Sequence, residues 1–195
     1  MGNVQYTLNK VVASNILRRG KKARILMLGI DGAGKTSLLF KMSVPDYVVG
    51  SAISTLGFNV EKVKVTRNVR FTLWDVGGQE KLRPFWKNYF ENTDGILFVL
   101  DSTNVARLLE VKNTLESILR SPYLKDVPVV ILANKQDFAD ALDISVLVDR
   151  LELASIKDRR WLIQGTSAFT GAGVWEALKQ MKRLMKESSR PWRRG

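Results

Sequence analysis

Eight residues near the start of the chain form a complete phosphate-binding loop. Residues 29–36 read Gly-Ile-Asp-Gly-Ala-Gly-Lys-Thr, which matches the pattern G-x-x-x-x-G-K-[ST]. An apolar, strand-like run (25–28) precedes the loop and a helical run (37–42) follows it, so backbone N–H groups are expected to surround phosphate oxygens at the positive end of a helix. The predicted phosphate-binding residues are Gly29, Asp31, Gly32, Ala33, Gly34, Lys35 and Thr36, with Gly78 from a later motif.

Two further motifs each follow an apolar run. Residues 75–79 (Asp-Val-Gly-Gly-Gln) follow the strand-like run 70–74, and residues 134–137 (Asn-Lys-Gln-Asp) follow the run 129–133. An open α/β sheet places its ligand-binding groups at the carboxyl ends of its strands. The three motifs are therefore predicted to meet in one site.

The first two motifs indicate chemistry on a nucleoside triphosphate. Lys35 is expected to reach the β- and γ-phosphates, and the Thr36 hydroxyl to hold Mg²⁺, with Asp75 holding the ion through water. The N–H of Gly78 can reach a γ-phosphate oxygen, since glycine has no side chain to block it. Gln79 is the predicted catalytic residue, because its side-chain amide is placed to orient the attacking water.

No cation is available from the loop that precedes the second motif. Residues 43–61 contain no arginine and no lysine. We therefore expect unassisted hydrolysis to be slow, with a partner protein supplying the cation, an assistance worth about 10³–10⁵ in rate.

The third motif selects the base. The Asp137 carboxylate can accept hydrogen bonds from N1–H and the 2-amino group of guanine, whereas adenine would leave it unpaired at a cost of roughly 1–3 kcal/mol or more. Lys135 offers its aliphatic stem to the base plane, and Asn134 is expected to brace the loops. Ser167 and Ala168 follow the next strand-like run, where the Ala168 N–H can reach the guanine oxygen. GTP, GDP and Mg²⁺ are thus the predicted ligands.

Alternating apolar runs and helix-period stretches predict the elements that position these motifs. Buried strands are predicted at 25–28, 96–100, 129–133 and 161–163. Two helices are predicted to follow Asn104 and Asp143, which would cap them. The first would present an apolar face formed by Val105, Leu108, Val111, Leu115 and Ile118. A last helix is predicted along Val174, Leu178, Met181 and Met185. The prediction is an α/β fold with a six-stranded, mostly parallel sheet and helices on both faces.

One segment interrupts the alternation. Residues 58–65 and 70–74 are two strand-like runs joined by a short turn at 66–69, which predicts an antiparallel hairpin at the sheet edge. The apolar residues of the first run alternate at even positions in Phe58 and Val60 and at odd positions in Val63 and Val65, so the alternation shifts by one residue between the two pairs. Either a β-bulge or a later strand start would account for that slip.

Composition excludes several classes of chemistry. The 195 residues include no cysteine and no histidine, which excludes disulfides, thiolate chemistry and imidazole bases. The net charge of +12 is concentrated at the ends: residues 1–24 carry six basic and no acidic side chains, and residues 179–195 carry seven basic and one acidic. Basic ends beside a neutral body favour an anionic surface as partner.

Together these motifs resemble small GTPases of the Arf/Arf-like (ADP-ribosylation factor-like) family. The residues that carry the resemblance are 29–36, Thr-Leu-Gly-Phe-Asn-Val-Glu at 55–61, and Trp-Asp-Val-Gly-Gly-Gln-Glu-Lys-Leu-Arg-Pro at 74–84. The resemblance implies the P-loop small-GTPase fold and a slow GTPase that needs an exchange factor and a GTPase-activating protein. The family usually has proline where this chain has Ser54.

The resemblance also assigns roles to residues outside the three motifs. Thr55 would complete the Mg²⁺ shell only with GTP, and Phe58, Trp74 and Tyr89 would form an exposed patch for effector proteins. The hairpin between these segments would slide along the sheet and expel an N-terminal helix. Sliding by an even number of residues preserves the faces of each strand.

The ends of the chain predict a membrane role. We expect residues 1–20 to form an amphipathic helix, residues 21–186 the GTP-binding domain, and residues 187–195 a basic tail. Gly2 is a candidate for myristoylation, although Tyr6 departs from the usual pattern. Because one acyl chain binds membranes only marginally, the apolar face and basic clusters would add a second attachment. The alternatives are a helix packed permanently on the domain and a solvated, disordered tail.

These expectations describe a monomeric, cytoplasmic, peripheral membrane protein that recruits effectors in membrane trafficking. Three alternatives stay open at this point. They are a scaffold that binds GTP without hydrolysing it, a P-loop nucleotide kinase, and a nucleic-acid-binding protein. The third conflicts with the neutral body, and no nucleic-acid partner is expected.

Overall fold

A six-stranded sheet runs through the part of the chain that the computed structural model describes, residues 20–44, 46–50 and 55–188. The strands are β1 (Lys21–Leu28), β2 (Phe58–Thr66), β3 (Val69–Val76), β4 (Gly95–Asp101), β5 (Val129–Asn134) and β6 (Trp161–Gly165). The α-helices are α1 (Lys35–Ser43), α2 (Leu108–Leu119), α3 (Ile144–Arg150) and α4 (Val174–Glu187). A long 3₁₀ segment, Glu80–Tyr89, follows β3.

The strand order is β2-β3-β1-β4-β5-β6, and only the pairing of β2 with β3 is antiparallel. Every residue of β5, and every residue of β4 except Asp101, is buried, as expected for strands covered on both faces. The prediction of an α/β fold with a mostly parallel sheet and an antiparallel edge hairpin is confirmed.

The core forms two layers, one on each face of the sheet. Helices α1 and α4 pack on one face against the inner strands, through side chains that include Leu38, Leu39 and Leu178. Helices α2 and α3 and the 3₁₀ segment pack on the other face. All four apolar residues predicted for the last helix are buried, which confirms its predicted face.

Two details of the helix predictions are wrong. Val105 lies in a 3₁₀ turn, Val105–Arg107, ahead of α2, and it is exposed. Because 3₁₀ geometry has three residues per turn, Val105 falls outside the stripe that α2 buries. Asn104 and Asp143 precede helical turns, but neither side chain makes a capping hydrogen bond.

The hairpin contains no bulge at the predicted phase slip, and its first strand does not start late. The ladder runs without interruption from Phe58 opposite Val76 to Lys64 opposite Arg70, and the irregularity lies beyond it, between Lys64 and Thr66. The apolar phase changes because both faces of β2 contact apolar neighbours. Phe58 contacts the Trp74 ring on one face, and Val63 and Val65 belong to the core on the other.

Several predictions fall outside the described residues. They concern residues 1–19, which include Gly2, the single residue Ser54, and residues 189–195. Glu187, the first residue of the predicted tail, is the last residue of α4. Within the described ranges, no helix has the length and apolar character needed to cross a bilayer.

Candidate functional site

The predicted binding residues meet at a cavity of about 640 Å³ at the carboxyl ends of the strands. Its wall includes Asp31, Gly32, Gly34, Lys35, Thr36, Thr55, Gly78, Gln79, Asn134, Lys135, Asp137 and Ala168. Gly29, Ala33, Asp75 and Ser167 are buried and do not line it. A larger groove, about 850 Å³ between the 3₁₀ segment and α2, contains none of the predicted binding residues.

Two glycines are needed for the course of the phosphate loop. Gly29 has a φ of 144°, and a Cβ there would lie 2.1 Å from the carbonyl oxygen of Val99. Gly34 has a φ of 88°, and its Cβ would lie 2.3 Å from Nδ2 of Asn134. Both values are far inside contact distance, so any larger residue would push the loop away from β4 and β5.

Lys35 begins α1 and reaches back under the loop. Its side chain is buried, and Nζ donates a hydrogen bond to the Ile30 carbonyl oxygen at 3.0 Å. Burial lowers the pKa of Lys35 from 10.5 to about 8, although the charge of Asp75 opposes this shift. A polyphosphate in the cavity would supply the anionic partner that a buried ammonium group lacks.

This pKa predicts a pH dependence of stability for the nucleotide-free chain. Between pH 8 and 10.5 the unfolded chain binds more protons at Lys35 than the folded chain, so the free energy of unfolding should rise with pH in that window. The total gain attributable to Lys35 is at most about 3 kcal/mol. Chemical denaturation at several pH values should show this rise in the native chain and a flatter profile for Lys35→Met. Parallel profiles for the two proteins would contradict the assignment.

Thr36, Thr55 and Asp75 place oxygen atoms side by side next to Lys35. The Thr36 hydroxyl donates to Asp75 Oδ2 at 2.7 Å, and the two threonine hydroxyl oxygens are 2.8 Å apart. Asn59, which sequence reasoning missed, donates from Nδ2 to Asp75 Oδ2 at 3.2 Å. The residue predicted to sense GTP therefore contacts the residues predicted to hold the metal ion.

This oxygen cluster fits Mg²⁺. Asp75 is fully buried, and its Oδ1 has no hydrogen-bond partner among the described residues. Carboxylate and hydroxyl oxygens are hard donors, and Mg²⁺ in nucleotide sites typically takes one or two carboxylates together with substrate phosphates. No cluster of three or more His, Cys, Asp or Glu that could hold a metal ion occurs in the described part of the chain, so this is not an all-carboxylate site.

The Asp31 side chain belongs to a charge cluster that the sequence did not predict. Its Oδ1 lies 2.9 Å from Nη2 of Arg107 and 3.3 Å from Nη2 of Arg83. Glu110 completes the cluster, with contacts of 2.7 Å to both arginines. Hydrogen bonds from Arg107 lower the pKa of Glu110 to about 2 and also lower the pKa of Asp31. The carboxylate of Asp31 is thus held by cations, which leaves phosphate binding to the loop backbone and the Lys35 side chain.

The same cluster holds the loop that contains Gly78 against the phosphate loop. The Gly78 carbonyl oxygen accepts hydrogen bonds from Nε of Arg83 at 2.9 Å and from the Asp31 N–H at 3.2 Å. A Cβ on Gly78 would lie 2.4 Å from the Gly29 oxygen and 2.5 Å from Nζ of Lys35. Gly78 therefore approaches the phosphate loop closely because it has no side chain.

Gln79 follows at the start of the 3₁₀ segment, on the cavity wall. Its side-chain amide makes no hydrogen bond to any other residue in the described ranges. The amide is therefore available to contact a water molecule in the cavity.

Asn134 joins the two loops at the predicted base end. It is buried, donates from Nδ2 to the Ala33 oxygen at 2.9 Å, and accepts the Ala168 N–H at Oδ1, 3.1 Å away. It braces both loops, as predicted from the sequence. The predicted bond from the Ala168 N–H to a guanine oxygen would have to be shared with Asn134 or replace this contact.

Lys135 and Asp137 differ in how the structure engages them. The Lys135 ammonium pairs with Asp101, another residue that sequence reasoning missed, so its stem is held along the cavity wall. Burial would raise the pKa of Asp101, but hydrogen bonds from Lys135 and Thr103 lower it. Asp137 is exposed at the cavity, and its carboxylate has no ion pair or hydrogen bond within the described ranges.

Two aromatic rings also line the cavity. Phe138 and Phe169 are 55% and 69% exposed, and each adjoins a predicted base-binding residue in sequence. Phe138 directly follows the third motif and Phe169 directly follows Ala168, and this adjacency was the only sequence clue to the two rings. Their rings offer apolar surface to a bound base.

The predicted effector residues lie together at the edge of the sheet, away from the cavity. The ring centroids of Phe58 and Trp74 are 5.3 Å apart, those of Phe58 and Tyr89 are 5.7 Å apart, and those of Trp74 and Tyr89 are 6.5 Å apart. Phe58 is 49% exposed, whereas Trp74 and Tyr89 are half-buried against the core, so the three residues are less exposed than predicted. We refer to these three residues as the aromatic patch.

Comparisons with known proteins identify relatives of the whole domain. The model of the ADP-ribosylation factor family matches residues 8–185. Among solved structures, the chain is similar to the Arl6 BBS3 small GTPase from Trypanosoma brucei, determined with the bound nucleotide analogue GppNp. The two chains share 30% sequence identity, the match covers 86% of this chain and 99% of that chain, and the TM-score is 0.77.

Proposed function

The chain belongs to the ADP-ribosylation factor family and is a small GTPase that binds GTP and GDP and hydrolyses GTP, and from this premise we propose that it recruits effector proteins to an anionic membrane surface in its GTP state. The observation that carries the proposal is the contact of Thr55 with Thr36 beside Asp75. It joins the segment before the aromatic patch to the phosphate loop.

The residues of the cavity have different roles in GTP hydrolysis. Lys35 binds the β- and γ-phosphates, the Gly78 N–H donates to a γ-phosphate oxygen, and Gln79 orients the water that attacks the γ-phosphorus. A P–O bond forms to that water as the bond to the β-phosphate oxygen breaks, giving GDP and phosphate. Thr36, Thr55 and Asp75 would hold Mg²⁺, which, when bound, neutralises charge on the phosphate oxygens.

Loss of the γ-phosphate would remove the partner of the Gly78 N–H. It would also release Thr55, which is expected to complete the Mg²⁺ shell only with GTP. The Gly77 N–H donates to the Gly57 carbonyl oxygen at 2.9 Å, so a shift of one segment would be passed to the other through this bond. Because Phe58 follows directly, release of these segments would change the aromatic patch that effectors contact. The hairpin and the N-terminal segment would then shift together.

Partner proteins control both transitions. The arginine that binds the Gly78 carbonyl, Arg83, is engaged by Asp31 and Glu110, so we propose that a GTPase-activating protein supplies the cation for fast hydrolysis. An exchange factor would release GDP. The basic ends and a myristoyl group on Gly2 would attach the chain, as a monomer, to the cytoplasmic face of a membrane involved in trafficking.

Co-sedimentation of the myristoylated chain with vesicles tests the membrane proposal. We expect stronger binding with GppNp than with GDP on vesicles of phosphatidylcholine and phosphatidylserine, and weaker binding when phosphatidylserine is left out. Gly2→Ala, which cannot be acylated, serves as control. Equal partition in the two nucleotide states would contradict the coupling of nucleotide to membrane attachment.

A further inference from the structure

Five cations lie together on one face of the sheet, in two rows across β2, β3 and β1. Strand register places Lys64, Arg70 and Lys22 in one row, and Lys62, Thr72 and Arg24 in the next. Residues paired across neighbouring strands project from the same face of a sheet. We refer to these six residues as the basic rows.

None of the six positions in the basic rows is acidic, and Lys22, Lys62, Lys64 and Arg70 are exposed. These four have no ion pair with any residue in the described ranges. Like charges directly opposite one another destabilise a sheet, so the row of Lys64, Arg70 and Lys22 opposes folding without an ion pair in the described domain to offset it.

Protection of a sheet edge explains only part of this pattern. Lysines on an edge strand discourage aggregation, and Lys62 and Lys64 lie on β2, which is an edge strand. Lys22 lies on β1, which pairs with β4 only from Ile25 onward, so edge protection can also explain Lys22. Arg70 lies on β3, where it is paired with Lys22 on one side and Lys64 on the other. The charge of Arg70, between two other cations, therefore needs another explanation.

The basic rows continue into the aromatic patch on the same face. The next row is Val60, Trp74 and Leu26, followed by Phe58, Val76 and Leu28. The guanidinium carbon of Arg24 lies 4.3 Å from the centroid of the Trp74 ring, so the two areas are in contact. Successive rows are about 7 Å apart, because two residues of a strand separate them.

We propose that this face binds a protein segment with an apolar anchor on the aromatic patch and a cluster of acidic side chains on the basic rows. A distance of about 7–14 Å corresponds to about five to nine residues of a helix, so the acidic cluster should lie one to three turns from the anchor. This inference rests on the proposed effector role of the aromatic patch and specifies which effectors it admits.

Contact with the nucleotide-dependent segment favours a protein segment over a lipid surface. The aromatic end of this face begins at Phe58, next to Gly57, whose carbonyl oxygen accepts the Gly77 N–H. A ligand that spans anchor and charge would thus sense the nucleotide state through its apolar part. A lipid headgroup would contact the charge alone.

A random-peptide display library selected on the GppNp-loaded chain tests the proposal. We expect the enriched peptides to carry Asp or Glu clusters beside an apolar anchor. The double variant Lys64→Glu/Arg70→Glu should weaken their binding about tenfold or more, since two attractive contacts become repulsive. Lys125→Glu/Lys157→Glu, which changes two other exposed lysines by the same total charge, should leave binding within about twofold.

Further variants and outcomes distinguish the ways in which the proposal could fail. Enriched peptides without excess acid, or equal losses for both double variants, would overturn it. A loss of vesicle binding by Lys64→Glu/Arg70→Glu with no loss of peptide binding would assign the basic rows to lipid instead. Phe58→Ala reports on the aromatic patch separately: if it leaves peptide binding intact, the proposed effector role fails. Unchanged GppNp binding by each variant excludes misfolding.

Discussion

Replacing Asp137 with asparagine should move the preference of the chain from guanine to xanthine nucleotides. In the proposed base site the carboxylate would accept the N1–H and 2-amino hydrogens of guanine. An asparagine amide presents one acceptor and one donor, which suits N1–H and the C2 carbonyl of xanthine. Sites built around such hydrogen bonds discriminate by about 10⁴–10⁵, so GTP affinity should fall by about 10⁴. Because Asp137 is exposed and its carboxylate makes no hydrogen bond or ion pair within the described domain, the substitution should not disturb the fold.

Competition between GTP and XTP, measured by equilibrium binding, checks this result. Asp140→Asn is a matched control, because Asp140 is a second exposed carboxylate in the same loop. It should bind GTP like the native chain. Unchanged GTP affinity of Asp137→Asn, or an equal loss in Asp140→Asn, would show that the base lies elsewhere.

Replacing Gln79 with leucine should nearly abolish hydrolysis while leaving GTP bound. The side chain lines the cavity next to Gly78 and makes no hydrogen bond within the described domain, so its loss removes the group that orients water and little else. Removing one positioned hydrogen-bonding group from an active site typically costs about 10²–10³ in rate. Single-turnover release of phosphate should fall by that factor, with the dissociation rate of GppNp unchanged.

The neighbouring residue provides the control for this experiment. Glu80 is exposed and begins the 3₁₀ segment, and Glu80→Gln should hydrolyse GTP at the native rate. Native rates in Gln79→Leu would exclude its catalytic role.

The sequence was sufficient to predict the cavity because its parts are local. Each motif is a short segment placed by the strand before it, and parallel strands bring their carboxyl ends to one edge. Gly29, Gly34 and Asn134 then follow from steric and hydrogen-bonding needs inside those segments. The element order follows from apolar runs long enough to be buried on both faces.

What the sequence did not predict depends on contacts between distant residues. Arg107 meets Asp31 across 76 positions of the chain, and Lys135 meets Asp101 across 34. Charged residues are too common for such pairs to be found by type alone. The shift in the apolar alternation of β2 was misleading for a related reason. A strand with apolar neighbours on both faces need not keep its apolar residues at alternate positions.

Hydrogen–deuterium exchange of the chain with Mg²⁺ and either GDP or GppNp tests most directly whether the terminal phosphate closes Thr55 and Gly78 onto the phosphate loop. The account predicts slower exchange with GppNp at residues 55–58 and 77–82, with no change in β5, which is buried in both states. Identical exchange of those two segments in the GDP and GppNp complexes would contradict it.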